Sequence, residues 1–205
     1  MTFETWIAFV AASAVVLAIP GPTILLVIGQ SLGAGRRGAL PLVGGVALGD
    51  LTAMTLSLAG LGAVLAASAT AFTIVKWIGA AYLIWLGVSL WRARVQEEDA
   101  APVALPARRA MRDAYVVTAL NPKSIAFFIA FVPQFVVSGA PFAPQAAVLI
   151  ATFVVMAAAN AAIYAVLAGR LAGAVRRPGV RRLVNRAGGT MLIGAGVATA
   201  AMRRV

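Results

Sequence analysis

Apolar residues gather into six stretches, at roughly 5–29, 39–66, 72–91, 114–138, 144–169 and 187–202, separated by more polar segments. A membrane-crossing helix takes about 17–25 residues, so each of the first five predicts one span. The sixth is bounded by Arg186 and Arg203; it crosses only with arginines snorkelling at both ends, or else it re-enters. Two stretches are interrupted near their middles, the first at Ile19-Pro20-Gly21-Pro22-Thr23 and the fourth at Asn121-Pro122-Lys123. Proline removes an N–H donor and glycine loosens a helix. In lipid, backbone groups freed in this way must be satisfied by protein or by a wet cavity. A helix broken at mid-depth is therefore a candidate binding site of the kind transporters use; the plainer reading is a proline kink.

The chain is 62% hydrophobic and 11% charged, with a mean hydropathy of +0.96 over 205 residues. Those proportions predict an all-α, polytopic membrane protein. Cysteine and histidine are absent, which removes disulfides, thiolate chemistry, zinc sites and imidazole proton relays; no metal or other cofactor is expected. The net charge of +11 would suit nucleic acid, but the basic residues lie mostly between apolar stretches. There they read as topology signals and as contacts to anionic lipid, so no nucleic-acid partner is expected. Arg36 and Arg37, then Arg92, Arg94, Arg108, Arg109 and Arg112, then Arg170, Arg176, Arg177, Arg181, Arg182 and Arg186 fall on one side, and the facing loop at 138–144 is uncharged. The positive-inside rule puts the arginines in the cytoplasm and the amino terminus outside. Arg203 and Arg204 then lie on the wrong side if the sixth stretch crosses fully. Met1-Thr2-Phe3-Glu4 lacks the basic region of a secretory signal, so the first stretch reads as a retained span.

The segment from Arg92 to Asp113 carries Glu97-Glu98-Asp99, Pro102 and Pro106 and reads as a solvated connector. It divides the chain into a three-helix repeat (1–92), a cytoplasmic linker (93–113) and a second three-helix repeat (114–205). At an offset of 109, Gly79 matches Gly188, Leu83 matches Leu192, Ile84 matches Ile193, Gly87 matches Gly196 and Val88 matches Val197. Asp50 matches Asn160 at an offset of 110, and the broken first span has its counterpart in the fourth. Chance agreement among common residues is the competing explanation. An odd number of spans per repeat sets the second copy upside down, a recurring transporter plan. The small residues of spans three and six suit close helix contact, and such faces would suit a homodimer.

Two ionisable residues lie deep in apolar stretches, Asp50 and Lys123. A charge at mid-depth costs about 2.5–3.5 kcal/mol on insertion scales, which makes each a functional candidate. The competing readings are an Asp50–Lys123 ion pair that only joins the halves, or snorkelling near an interface. Pro22 and Pro122 suit the first position of a restarted helix. The N–H groups that follow face the break, and their partial positive charge suits a carboxylate, with Lys123 adding a formal charge. Asp50 suits an ammonium group, and a zwitterionic amino acid offers both. The predicted substrate-binding set is Pro20, Gly21, Pro22, Asp50, Asn121, Pro122, Lys123 and Asn160. With histidine absent, Asp50 is also the group offered for proton coupling, proton and substrate competing for its carboxylate. Gln30 and Tyr164 are weaker candidates. Tyr82, Trp77, Trp85 and Trp91 read as packing or interfacial anchors, and Thr23 and Ser124 as groups that satisfy freed carbonyls. No nucleophile–base pair is evident, so an enzyme is not expected.

Taken in order, Pro20-Gly21-Pro22, Gly49-Asp50, Gly79-Ala80-Ala81-Tyr82-Leu83 with Trp85-Leu86-Gly87, and Asn121-Pro122-Lys123 resemble the LysE/RhtB family of amino-acid exporters. The resemblance covers nearly the whole chain, the final stretch carrying no family signature. It implies a secondary transporter of the bacterial inner membrane that exports amino acids or close derivatives, driven by proton motive force. The Pro-Gly-Pro and Asn-Pro-Lys pattern resembles the homoserine/threonine branch more than the basic amino-acid branch, which implies neutral, threonine- or homoserine-like substrates and proton antiport. Two other readings stand beside it. One is an exporter of another small solute, although a soft metal cation would want thiolate or imidazole ligands that the chain lacks. The other is a non-transporting channel or assembly protein.

Overall fold

A computed structural model describes residues 1–34, 39–67, 69–92, 105–137, 139–175 and 178–201. They form helices α1 (Phe3–Ala18), α2 (Pro22–Ala34), α3 (Ala39–Ala67), α4 (Ala69–Arg92), α5 (Ala107–Ala119), α6 (Pro122–Ala130), α7 (Phe142–Val175) and α8 (Pro178–Ala201), with a 3₁₀ turn at Val132–Phe135. The chain is an all-helical, multi-pass membrane protein. Ala39–Gly60 of α3 and Phe142–Ala168 of α7 are each long and apolar enough to cross a membrane. Two bent pairs match the interrupted stretches: α1 and α2 meet at 59°, and α5 and α6, continued through the 3₁₀ turn, at 43°. The third and sixth predicted spans fall in α4 and α8, where many side chains lie outside the described residues. So do Arg36, Arg37, Arg94, Arg176, Arg177, Arg203, Arg204 and positions 93–104 of the connector.

Helices outrun the apolar stretches that predict them. The fourth stretch begins at 114, but α5 starts at Ala107, behind Pro106 as its extended N-cap residue, and carries Arg108, Arg109 and Arg112 exposed on its first turns. Arg109 and Arg112 both meet Asp113, at 3.8 and 3.1 Å. Arginine is a good helix former, so charge ends an apolar stretch without ending the helix.

Lipid supplies no hydrophobic force between helices, and close packing and hydrogen bonds take its place. On one side of the breaks, α1, α6, the 3₁₀ turn and α7 share an aromatic cluster. Phe128 meets Phe153 edge-on at 4.9 Å, and Phe9 meets Phe135 at 5.4 Å. On the other side the contacts are small: Val27, Val46, Ala110, Ala114, Ala161 and Ala165 bring α2, α3, α5 and α7 together. Gly45 and Gly49 let α3 touch α5 backbone to backbone. A Cβ on Gly45 would overlap the Met111 carbonyl oxygen, and one on Gly49 would lie 2.7 Å from Thr118 Cβ and 2.9 Å from the Tyr115 carbonyl oxygen.

The α4–α8 contact has an internal symmetry. A Cβ on Gly87 would meet the Gly189 carbonyl oxygen at 2.6 Å and Ile193 Cγ1 at 2.8 Å; one on Gly196 would meet the Ala80 carbonyl oxygen at 2.8 Å and Ile84 Cγ1 at 2.7 Å. At the offset of 109, Gly87 corresponds to Gly196, Ala80 to Gly189 and Ile84 to Ile193, so each contact maps onto the other. Rising numbers in α4 meet falling numbers in α8, which makes the two helices antiparallel.

Gln145, buried in the first turns of α7, fastens the segment ahead of that helix. Its Oε1 accepts from the Val137 N–H at 2.9 Å, and its Nε2 lies within 3.2–3.3 Å of the Val137, Ala140 and Pro141 carbonyls. Gln145→Ala removes the part-buried bond to the Val137 N–H and the donors to three carbonyls, at a cost of about 1 kcal/mol. The expected result is a lower melting temperature and faster proteolytic nicking between residues 136 and 141.

Candidate functional site

The first break is built by its prolines. In an unbroken helix the N–H of residue 20 would bond the Val16 carbonyl, and that of residue 22 the Ala18 carbonyl; Pro20 and Pro22 have neither donor. The second half of the chain supplies replacements. Lys123 Nζ donates to the Val16 carbonyl at 3.1 Å and to the Ile19 carbonyl at 2.7 Å. Asn160 Nδ2 donates to the Leu17 carbonyl at 3.1 Å, and the Tyr164 hydroxyl to the Ala18 carbonyl at 3.2 Å. A cation beside the negative end of α1 is also favoured by the helix dipole. Gly21 lies alongside it: a Cβ there would be in ordinary contact with Lys123 Nζ, at 3.4 Å.

The second break is capped from within. Asn121 Oδ1 accepts from the Lys123 backbone N–H at 3.1 Å, and Pro122 sits at the start of α6, the usual place for proline. Asn121 Nδ2 donates to Thr23 Oγ1 at 3.1 Å, and the Thr118 hydroxyl donates to the same oxygen at 3.3 Å. Thr23 lies in the first turn of α2, so this buried cluster ties the two breaks directly to each other.

Between them lies a cavity of about 30 Å³ bordered by Gly21, Thr23, Asp50, Asn121, Lys123 and Asn160. That is room for about two waters, so an amino acid enters only if the helices move. Asp50 reaches the cavity from α3 with 3% of its surface exposed, and its Oδ1 has no hydrogen-bond partner among the described residues. The ion pairs among those residues are the two made by Asp113. Asp50 and Lys123 therefore share a cavity without pairing, because the ammonium group is held on the α1 carbonyls. The reading of the two as a simple structural ion pair is corrected on that ground.

Of the predicted set, the structure brings Gly21, Asp50, Asn121, Lys123 and Asn160 to one cavity. Pro20, Pro22 and Pro122 do not border it; they act by withholding donors, and Pro22 and Pro122 are exposed. Thr23 and Ser124 border it, and Thr23 accepts from side chains of the second half where a role toward freed carbonyls is expected from the sequence. Thr118 is a partner that sequence reasoning misses altogether. Tyr164 proves a partner of the break, and its position four residues after Asn160, on the same face of one helix, is the signal that could have ranked it higher.

Residues 14–203 match the family model of LysE type translocators. The chain is 36% identical over 203 residues to the homoserine/homoserine lactone efflux protein of Salmonella typhimurium, covering 98% of each chain. It is 34% identical over 204 residues to an uncharacterized membrane protein of Vibrio cholerae, covering 96% of this chain and 97% of that one. It is also 35% identical over 133 residues to the leucine efflux protein of an Enterobacter species, covering 64% of this chain and 63% of that one. No solved structure matches.

Proposed function

The chain belongs to the LysE type translocator family, whose members are transporters and not enzymes, and we propose that it exports neutral amino acids or their derivatives, threonine- or homoserine-like, across the bacterial inner membrane in exchange for protons. The observation that carries this reading is Asp50: a carboxylate with an unpartnered oxygen, 3% exposed, in the cavity that both helix breaks border. An ammonium group satisfies it. The substrate carboxylate goes to the first turn of α2, where Gly21 offers no side chain to cap the Thr23 and Ile24 N–H groups, whereas α6 is already capped by Asn121. Proton and substrate exclude each other at Asp50, and exclusion at one carboxylate gives antiport.

The same reading takes the chain as two inverted three-helix units, 1–92 and 114–205, joined by a cytoplasmic linker at 93–113. The reciprocal, antiparallel α4–α8 contact supports it, as do the paired breaks.

Efflux of a labelled amino-acid panel from expressing cells, with and without an uncoupler, tests the proposal. A threonine-like solute leaves wild-type cells, and export stops on uncoupling. In Asp50→Asn export falls by about 30-fold or more, since a hydrogen bond to a charged group is worth about 2 kcal/mol. Export of no amino acid from cells with normal membrane expression would overturn the substrate class; export unaffected by Asp50→Asn would overturn the site.

A further inference from the structure

The two breaks are equivalent in construction and unequal in support. Pro22 opens α2 as Pro122 opens α6, an offset of 100 that sets Leu17 against Val117 and Lys123 against Thr23. On the helices that follow, the offset of 110 sets Asn160 against Asp50 and Tyr164 against Met54. The end of α1 receives donors from Lys123, Asn160 and Tyr164. Their counterparts at the end of α5 are a threonine, with one O–H where the lysine ammonium has three donors and with its oxygen accepting two bonds, a carboxylate, and a thioether, which has no donor. The Asn121 N–H, which in a continued helix would bond the Val117 carbonyl, bonds the Thr118 carbonyl at 3.1 Å instead. The Val117 carbonyl thus loses its helical donor at the level where Gly49, beside Asp50, touches Thr118 and Ala119.

We propose that Asp50 is a proton-dependent positioning residue, which when protonated donates its O–H to the Val117 carbonyl as Asn160 donates to the Leu17 carbonyl. This rests on the antiport reading above and says what the proton does. An ionised carboxylate only accepts and is disfavoured beside the negative end of α5. A protonated one offers the Val117 carbonyl a donor in place of the helical one it has lost. Proton binding therefore closes the α3 contact on the α5–α6 break, and proton release, completed by a substrate ammonium, loosens it. The two ligands select two arrangements of one joint, which couples them.

Among the described residues, the charged group sharing the cavity with Asp50 is Lys123 of α6; α2 and α7 bring the neutral Thr23 and Asn160. On α5, Arg108, Arg109, Arg112 and Asp113 lie toward the opposite end, and Tyr115 meets Gly49 through its carbonyl oxygen. α4, which also touches α3, carries Lys76 and Arg92.

The chain has no cysteine, so a single Ala157→Cys at the cavity wall reports opening. Labelling by a small thiol reagent is followed in detergent, without substrate, at pH 5.5 and 8.5, with Asp50→Asn in the same background correcting for the reagent's own pH dependence. Asparagine donates at every pH, so that variant labels slowly throughout. With Asp50 present, labelling matches it at low pH and runs at least about tenfold faster at high pH. The exchange variant Asp50→Asn with Asn160→Asp regains pH dependence, through the other break. Equal pH dependence with and without Asp50, or an exchange variant that stays insensitive, overturns the proposal. If Asp50→Asn does not fold, Asp50→Glu (pH dependence kept) and Asp50→Gln (pH dependence lost) make the same comparison. No substrate is present, so failure here leaves the exporter reading standing, and a failed efflux panel leaves this result standing.

Discussion

Lys123→Met is expected to cost about 2 kcal/mol of stability or more and to remove most of the folded protein recovered from the membrane. Lys123 supplies donors to the Val16 and Ile19 carbonyls, and a stranded buried acceptor costs about 1–3 kcal/mol. Interhelical hydrogen bonds in membranes average only about 0.6 kcal/mol because broken ones find new partners. At Val16 they cannot: the helical partner of its carbonyl is Pro20, which has no N–H. Removing a charge from lipid gains about 2.5–3.5 kcal/mol, but dispersed helices gain at least as much as packed ones, so the gain does not offset the loss. Thermal unfolding in detergent, followed by size exclusion, reads the effect. Asn160→Ala, which strands the Leu17 carbonyl alone, serves as the milder comparison. A wild-type melting temperature for Lys123→Met would mean that the ammonium group is not what holds the first break.

Gly45→Ala is expected to be nearly as damaging, through shape alone. Its Cβ would overlap the Met111 carbonyl oxygen and come within 2.8 Å of Ala114 Cβ. Backbone cannot turn aside as a side chain can, so α3 and α5 must separate, with a cost of about 1–3 kcal/mol for overpacking. Separation would also pull Asp50 and the α5 break apart, so transport should fall further than stability. Gly60→Ala is the control: nothing lies within 4 Å of its Cβ position, and alanine is the better helix former by about 1 kcal/mol. The same melting assay should rank Gly60→Ala at or above wild type and Gly45→Ala well below it. Equal melting temperatures would rule out the backbone contact between α3 and α5 as a support of the fold.

Much of the site is legible in the amino-acid sequence. Two helix breaks follow from Pro20-Gly21-Pro22 and Asn121-Pro122, because a missing N–H is a local covalent fact. Asp50, Lys123 and Asn160 stand out because polar groups in lipid are costly wherever they end up. Membership of a translocator family is visible in the order of short motifs, and the relatives bear it out.

What the residues determine by themselves is where the chain bends, which side chains are too polar to face lipid, and roughly where helices cross. Helix ends escape that reading, since Arg108 and Arg112 extend α5 although they end the apolar stretch. Tertiary structure alone decides who satisfies whom. Lys123 reads in the sequence as a charge for a substrate carboxylate and is found on the carbonyls of α1; an ion pair between Asp50 and Lys123 is the competing reading there, and Asp50 Oδ1 is found without a partner among the described residues. Hydrogen-bond partners more than 100 positions apart depend on how helices are brought together, and hydropathy along the chain carries no term for that.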